Sequence, residues 1–138
     1  MRAADAGYSG TPLPKKLGIK EGTRVALLNA PSNFDATIGD LPAGVTIRRK
    51  AGVESDVIIL FETKFSKFNM SFGKAAALMP SSGGMLWVAW PKRAAKVETD
   101  LDENLIRDFG LAFGLVDTKV CAIDSIWSGL RFSRRRVK

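Results

Sequence analysis

The chain has 138 residues, of which 46% are hydrophobic and 25% charged. That is the size and composition of one folded domain, not of a disordered chain. It has no histidine and a single cysteine, Cys121. This excludes an internal disulfide and any Ser-His or Cys-His dyad, and it argues against a metal centre. The net charge of +7 is unevenly spread: Arg131, Arg134, Arg135, Arg136 and Lys138 account for five of the 21 basic residues, and no acid follows Leu130.

No stretch approaches the roughly 20 apolar residues needed to cross a bilayer, and Met1 to Lys16 has no apolar leader core. A soluble, cytoplasmic protein is expected, with no membrane partner. Residues 1–10 are small and polar and read as a flexible arm. Thr11-Pro12 reads as a helix start, with Thr11 as N-cap and Pro12 at the first helical position, followed by a short helix over Leu13 to Leu17 closed by Gly18. Arg24 to Asn29 is a nearly all-apolar strand, as expected for one covered on both faces. A short helix is expected over Phe34 to Leu41, then a strand over Val45 to Arg48. Asp56 to Phe61 is a third strand with an unbroken apolar, β-branched run.

Phe65, Phe68, Phe72, Ala75, Ala76 and Met79 recur at three- and four-residue steps, the signature of an amphipathic helix. Pro80 to Gly84 ends it, and Met85 to Trp90 is a fourth strand stopped by Pro91. A basic loop runs to Val97. The next helix is expected to begin with Asp100 as N-cap and Glu103 in the capping-box position, to bury Leu101, Leu105, Phe109, Ala112 and Phe113, and to stop at Gly114. A fifth strand over Lys119 to Asp124, a loop over Ser125 to Gly129, and a sixth strand over Leu130 to Arg135 form a closing antiparallel pair. Alternating strands and helices imply parallel pairing with right-handed crossovers. The expected fold is a three-layer, Rossmann-like α/β sandwich over residues 11–135, with an antiparallel C-terminal hairpin and a basic end at 136–138.

Leu17-Gly18-Ile19-Lys20-Glu21-Gly22-Thr23-Arg24-Val25-Ala26-Leu27-Leu28 resembles the entry to the first strand of S-adenosylmethionine-dependent methyltransferases, and the strand–helix order is similar too. Gly7-Tyr8-Ser9-Gly10-Thr11-Pro12-Leu13, Leu86 to Lys92, Thr99-Asp100-Leu101, Lys119 to Ala122 and Trp127-Ser128-Gly129-Leu130-Arg131 resemble an uncharacterised bacterial domain family, which implies no activity. The methyltransferase resemblance implies a glycine-rich cofactor loop after the first strand and an acidic residue at the end of the second. Here the loop is Asn29-Ala30-Pro31-Ser32-Asn33 and the strand end is Arg48-Arg49-Lys50. Both departures argue against conventional S-adenosylmethionine binding, and with no histidine they lean the chain away from an enzyme.

Ligands in open α/β sheets sit beyond the C-terminal strand ends, at the topological switch point. The candidate residues at that pole are Asn29, Ser32, Asn33, Glu62, Trp90, Lys92, Asp124 and Trp127. Lys92 is either a cation for an anionic ligand, a base if desolvated, or a solvated loop lysine. Glu62 and Asp124 are a carboxylate pair around a ligand, or caps on neighbouring turns. Asn29 and Asn33 suit turn chemistry as well as ligand amides. Trp87 and Trp90 face opposite sides of the sheet, and Trp127 is a lid over the pole or a plug for the hairpin. Arg48 to Lys50 is either a phosphate acceptor or a solvated strand end. Cys121 reads as buried and inert.

Arg131, Arg134, Arg135, Arg136 and Lys138 form a second candidate set for nucleic-acid phosphates, or a charged guard on an edge strand. The expected function is a non-catalytic or regulatory module binding a small anionic ligand or a protein partner. The alternatives are an enzyme with an altered nucleotide or S-adenosylmethionine site, and a nucleic-acid accessory protein acting through the basic tail.

Overall fold

The structure, a computed structural model, describes residues 11–135. The expected arm at 1–10 and basic end at 136–138 lie outside the described residues. The elements in chain order are α1 (Leu13–Lys16), β1 (Arg24–Leu28), α2 (Phe34–Ile38), β2 (Thr46–Arg48), β3 (Val57–Phe61), α3 (Phe65–Ala76), β4 (Met85–Pro91), α4 (Glu103–Phe113), β5 (Leu115–Ala122) and β6 (Trp127–Arg134). One six-stranded sheet has the order β2-β1-β3-β4-β6-β5. The first four strands are parallel, and β6 runs antiparallel to both β4 and β5. This is the expected sandwich with its antiparallel end.

The period-2 alternation of the strands sorts the core into two layers. Ala26, Ile58, Leu60, Leu86, Val88 and Trp90 pack under α3 and α4. Val25, Leu27, Ile59, Phe61, Trp87 and Ala89 pack on the other face with α1 and α2. The two indoles of β4 therefore point into opposite layers. Trp87 is fully buried, and its Nε1–H donates to the Leu17 carbonyl at 3.0 Å, which satisfies its one polar atom and ties α1 to the sheet. The β3 run of five buried residues matches its unbroken apolar sequence.

Several local expectations are corrected. Thr11 does not cap α1: Pro12, with extended backbone, occupies the N-cap position, and no side chain caps the helix. Asp102 rather than Asp100 caps α4, accepting from the Leu105 N–H at 2.8 Å. Asp100 instead accepts from the Phe65 N–H at 2.7 Å, so it serves the first turn of α3. Leu101 is buried and Leu105 and Phe109 pack against the core as expected, joined by Ile106 and Gly110, while Ala112 and Phe113 are exposed. Gly110 lets the helix approach the Phe132 ring, where a Cβ would lie 2.1 Å from Cε1. The hairpin is also tighter than expected: β5 starts at Leu115 and β6 at Trp127, which pairs with Pro91.

Ion pairs pin the frame away from the C-terminal pole. Arg24 makes a two-pronged contact with Asp56 at the starts of β1 and β3, at 2.8 and 3.1 Å. Arg107 of α4 reaches Asp117 of β5 at 2.8 Å. Its neighbouring guanidinium holds the Asp117 carboxyl below the usual carboxylate range.

Candidate functional site

From β1 the chain leaves through α2 to β2, then returns across the sheet to β3 on the other side of β1. The connections after β1 and β3 enter opposite layers, α2 among one set of core residues and α3 among the other. Their C-terminal ends are thus the switch point, where backbone diverges and leaves a crevice. Asn29 and Glu62 are the first residues beyond these two strands.

Asn29 has a backbone φ of 61°. This left-handed region costs most L-residues about 1–2 kcal/mol, and Asn tolerates it better than others because its short amide bonds locally. Here Nδ2 donates to Glu62 Oε2 at 2.9 Å. Ser71 Oγ of α3 donates to the same oxygen at 2.7 Å. Glu62 is 9% exposed, and its own N–H continues the sheet by donating to the Ala89 carbonyl. Among the described residues Oε1 has no hydrogen-bond partner, yet no side-chain oxygen without a partner is sealed from solvent. The switch point therefore holds a carboxylate with one oxygen fixed twice and the other open.

Ser32 and Asn33 sit exposed on the same loop. Asn33 occupies the N-cap position of α2 without a side-chain cap, while its carbonyl accepts from the Ala36 and Thr37 N–H groups. At the end of β2, Arg49 pairs with Asp35 in the first turn of α2. A carboxylate is thus present beside the basic strand end, supplied by α2 instead of β2.

The remaining candidates are separated from this cluster. Trp90 is core under α3 and α4, at 7% exposure. Lys92 follows β4 half-buried. Its N–H donates to Ile126 O at 2.7 Å, and its ammonium has no partner among the described residues. Asp124 is a turn residue, because its Oδ1 accepts from the Ile126 and Trp127 N–H groups, both at 2.8 Å. It does not pair with Glu62. Trp127 is a plug: it meets Phe61 edge-on at 5.1 Å, and Phe61 meets Phe34 at 5.0 Å, so a row of rings closes the α2 side of the pole.

In the second set, Arg134 is engaged at the end of α3, donating to the carbonyls of Pro80, Met79 and Ala76 at 2.7, 3.1 and 3.4 Å. Arg131 lies over the Trp87 ring at 5.8 Å and donates to Thr118 Oγ1 at 2.8 Å. Arg135 is exposed. Arg136 and Lys138 lie outside the described residues. Ser71 was not found from sequence; its only signal is a hydroxyl at the edge of the Phe68–Phe72 stripe. Among the described residues no group of three or more Cys, Asp or Glu could hold a metal ion, and no helix is long and apolar enough to cross a membrane.

No family model matches the chain, and no curated protein matches it. Solved structures do. A magnesium protoporphyrin IX methyltransferase from Synechocystis with bound SAM superposes with a TM-score of 0.56 at 9% identity, over 89% of this chain and 74% of that one. DhpI in complex with SAH superposes with a TM-score of 0.61 at 9% identity, over 91% and 83%. A fibrillarin pre-rRNA processing protein from Methanococcus jannaschii gives 0.61 at 12% identity, over 96% and 73%. The architecture is the methyltransferase-like Rossmann fold. These likenesses correct two expectations. S-adenosylmethionine is not disfavoured by the architecture, since chains of this fold are solved with SAM and SAH. The lean away from an enzyme is overturned with it, because the fold is shared with a methyltransferase.

Proposed function

We propose that the chain binds S-adenosylmethionine in the crevice between β1 and β3 and transfers its methyl group. The observation that carries this reading is the Glu62 carboxylate, buried at the switch point with Oε2 held by Asn29 and Ser71 and Oε1 open. An acceptor fixed in this way suits a cationic ammonium, and a charge-assisted bond there is worth about 1.5–3 kcal/mol. The residues present fit the group: Asn29 turns the backbone at the crevice, Glu62 offers the open oxygen, and Asp35 offers a carboxylate near the end of β2. The sulfonium donor supplies an electrophilic methyl group and leaves as a neutral thioether, so the chemistry demands no histidine. Lys92, at the neighbouring strand end, is the group to hold an anionic acceptor. The fold's likeness to a pre-rRNA processing protein supports nucleic acid as a partner class.

A thermal-shift titration with SAM and SAH tests the reading. A ligand at a hundredfold excess over its Kd adds about 2.7 kcal/mol of stability. An unmoved melting curve at millimolar concentrations of both contradicts it.

A further inference from the structure

On the outer surface of α3 and α4, apolar side chains reach solvent together. Met70 is 73% exposed, Phe113 50% and Leu111 36%. Ala77 and Ala112 add exposed methyl groups beside them. With about 3.6 residues per turn, Met70 falls opposite the buried Phe68, Phe72 and Ala75 of its own helix, so the fold itself gives it no cover. Apolar stripes of this kind mark places where another surface sits.

The strand topology fixes how the two helices lie. β3, β4 and β5 all run the same way, since β3 and β4 are parallel and β6 is antiparallel to both β4 and β5. α3 returns from the end of β3 to the start of β4, and α4 from the end of β4 to the start of β5, so the helices are parallel. Ring contacts set their register. Phe109 meets Phe65, Phe68 and Phe72, and Phe113 meets Phe72. Phe109 is therefore level with Phe68, Asp108 with Lys67, and Leu111 with Met70.

Charge divides this face along its length. α3 carries Lys67 and Lys74 and no acid. On α4, Arg107 is paired with Glu103 and with Asp117 of β5. Asp108 falls midway between the buried Ile106 and Gly110 in sequence, and so on the opposite side of the helix from both. Lys67 and Asp108 are exposed, and neither has an ion pair among the described residues. The stripe thus has a cation on one side and an anion at the same height on the other. Such a face complements itself under a two-fold axis lying along the α3–α4 seam. That rotation keeps height and exchanges the two sides. It lays α3 of each copy over α4 of the other, with Lys67 against Asp108 and Met70 against Leu111, each contact made twice. An axis across the seam would stack α3 on α3 and set lysines against lysines.

We propose that the α3–α4 face is the interface of a symmetric homodimer whose two-fold axis runs along the seam. The proposal goes beyond the methyl-donor reading and does not rest on it. Because the rotation keeps direction along the seam, the C-terminal poles of both sheets, with both Glu62 carboxylates, open at the same end of the dimer.

The test is sedimentation equilibrium over a micromolar-to-millimolar concentration series, with the melting of every variant followed by circular dichroism. The wild type is expected to dimerise. Met70→Asp, at an exposed site, is expected to weaken the dimer at least tenfold while melting at low concentration stays little changed. Lys67→Glu and Asp108→Lys each turn two attractions into two repulsions, and each is expected to weaken the dimer at least tenfold. Mixed in equal amounts, these two variants are expected to form a heterodimer of wild-type affinity, since opposite charges then meet at both contacts. A wild type that stays monomeric throughout overturns the proposal. So does a dimer that Met70→Asp leaves intact, or a mixture of the two charge variants that stays monomeric. A monomer that binds phosphatidylserine vesicles through Met70 gives the face to a membrane and likewise overturns it.

Discussion

Asn29 Nδ2 donates to Glu62 Oε2 at 2.9 Å, across 33 positions of sequence, and this bond joins the exits of β1 and β3 at the switch point. It couples a backbone turn to a carboxylate. The left-handed turn gives the loop its path, and the amide that tolerates that turn fixes one oxygen of the acid. Ser71 fixes the same oxygen from α3, so three elements orient the open Oε1.

The backbone part of this coupling separates from the amide part. Asn29→Gly keeps φ near 61° without strain, whereas Asn29→Val meets the left-handed penalty of about 1–2 kcal/mol. Urea denaturation is expected to rank Gly above Val by that amount. Equal stabilities show that the turn relaxes freely.

Arg134 and Arg135 are neighbours with different tasks. Arg134 donates to three carbonyls at the end of α3, and hydrogen bonds to a charged group contribute about 1.5–3 kcal/mol. Arg134→Ala is expected to lose stability in that range and to speed hydrogen exchange in the last turn of α3. Arg135→Ala is expected to stay within about 0.5 kcal/mol of the parent. The reverse order in chemical denaturation contradicts the assignment.

Gly110→Ala inverts a familiar rule. In a helix interior the change ordinarily gains about 1 kcal/mol. Here the new Cβ would stand 2.1 Å from the Phe132 ring, and overpacking costs about 1–3 kcal/mol. A lower melting temperature is expected, and Phe132→Leu in the same chain is expected to cost less than the sum of the two single changes. A stabilised Gly110→Ala variant means α4 shifts away from β6.

The acid limb of stability carries the Arg24–Asp56 contact. The Arg24 side-chain hydrogen bond, opposed in part by burial, holds the Asp56 carboxyl below its ordinary range. A depressed folded pKa means the unfolded chain binds protons first as pH falls. The contribution is therefore complete above the unfolded value of about 3.9 and fades as pH drops through the folded one. Both side chains are more than a third exposed, so the effect is small and screened by salt. Asp56→Asn is expected to flatten the loss of stability from pH 5 downward in urea titrations at low salt. An unchanged slope contradicts the assignment.

The strand core was legible because Val57 to Phe61 and Leu86 to Trp90 are apolar without interruption, and parallel pairing followed from the alternation of elements. Helix registers were less legible. Asp100 and Asp102 are both acids two residues apart, and which one caps α4 depends on Phe65 of α3 needing an acceptor. Gly110 faces the core because of Phe132, far along the chain. At the pole, the switch point named Asn29 and Glu62, and Asn29 was read as suited to a turn, but their bond to each other depends on the strand ends being brought together. Ser71 was not found because its bond to Glu62 exists only once α3 has docked. Asp124 had the right chemistry at the wrong place, with its carboxylate taken up by its own hairpin.

The proposed role of Glu62 is to hold S-adenosylmethionine between β1 and β3. Calorimetric titration of SAM into the wild type and Glu62→Gln tests it most directly. The loss of one charge-assisted bond, about 1.5–3 kcal/mol, predicts affinity at least tenfold weaker in the variant with its melting temperature little changed. Equal affinity in the two proteins, or no binding to either, contradicts it.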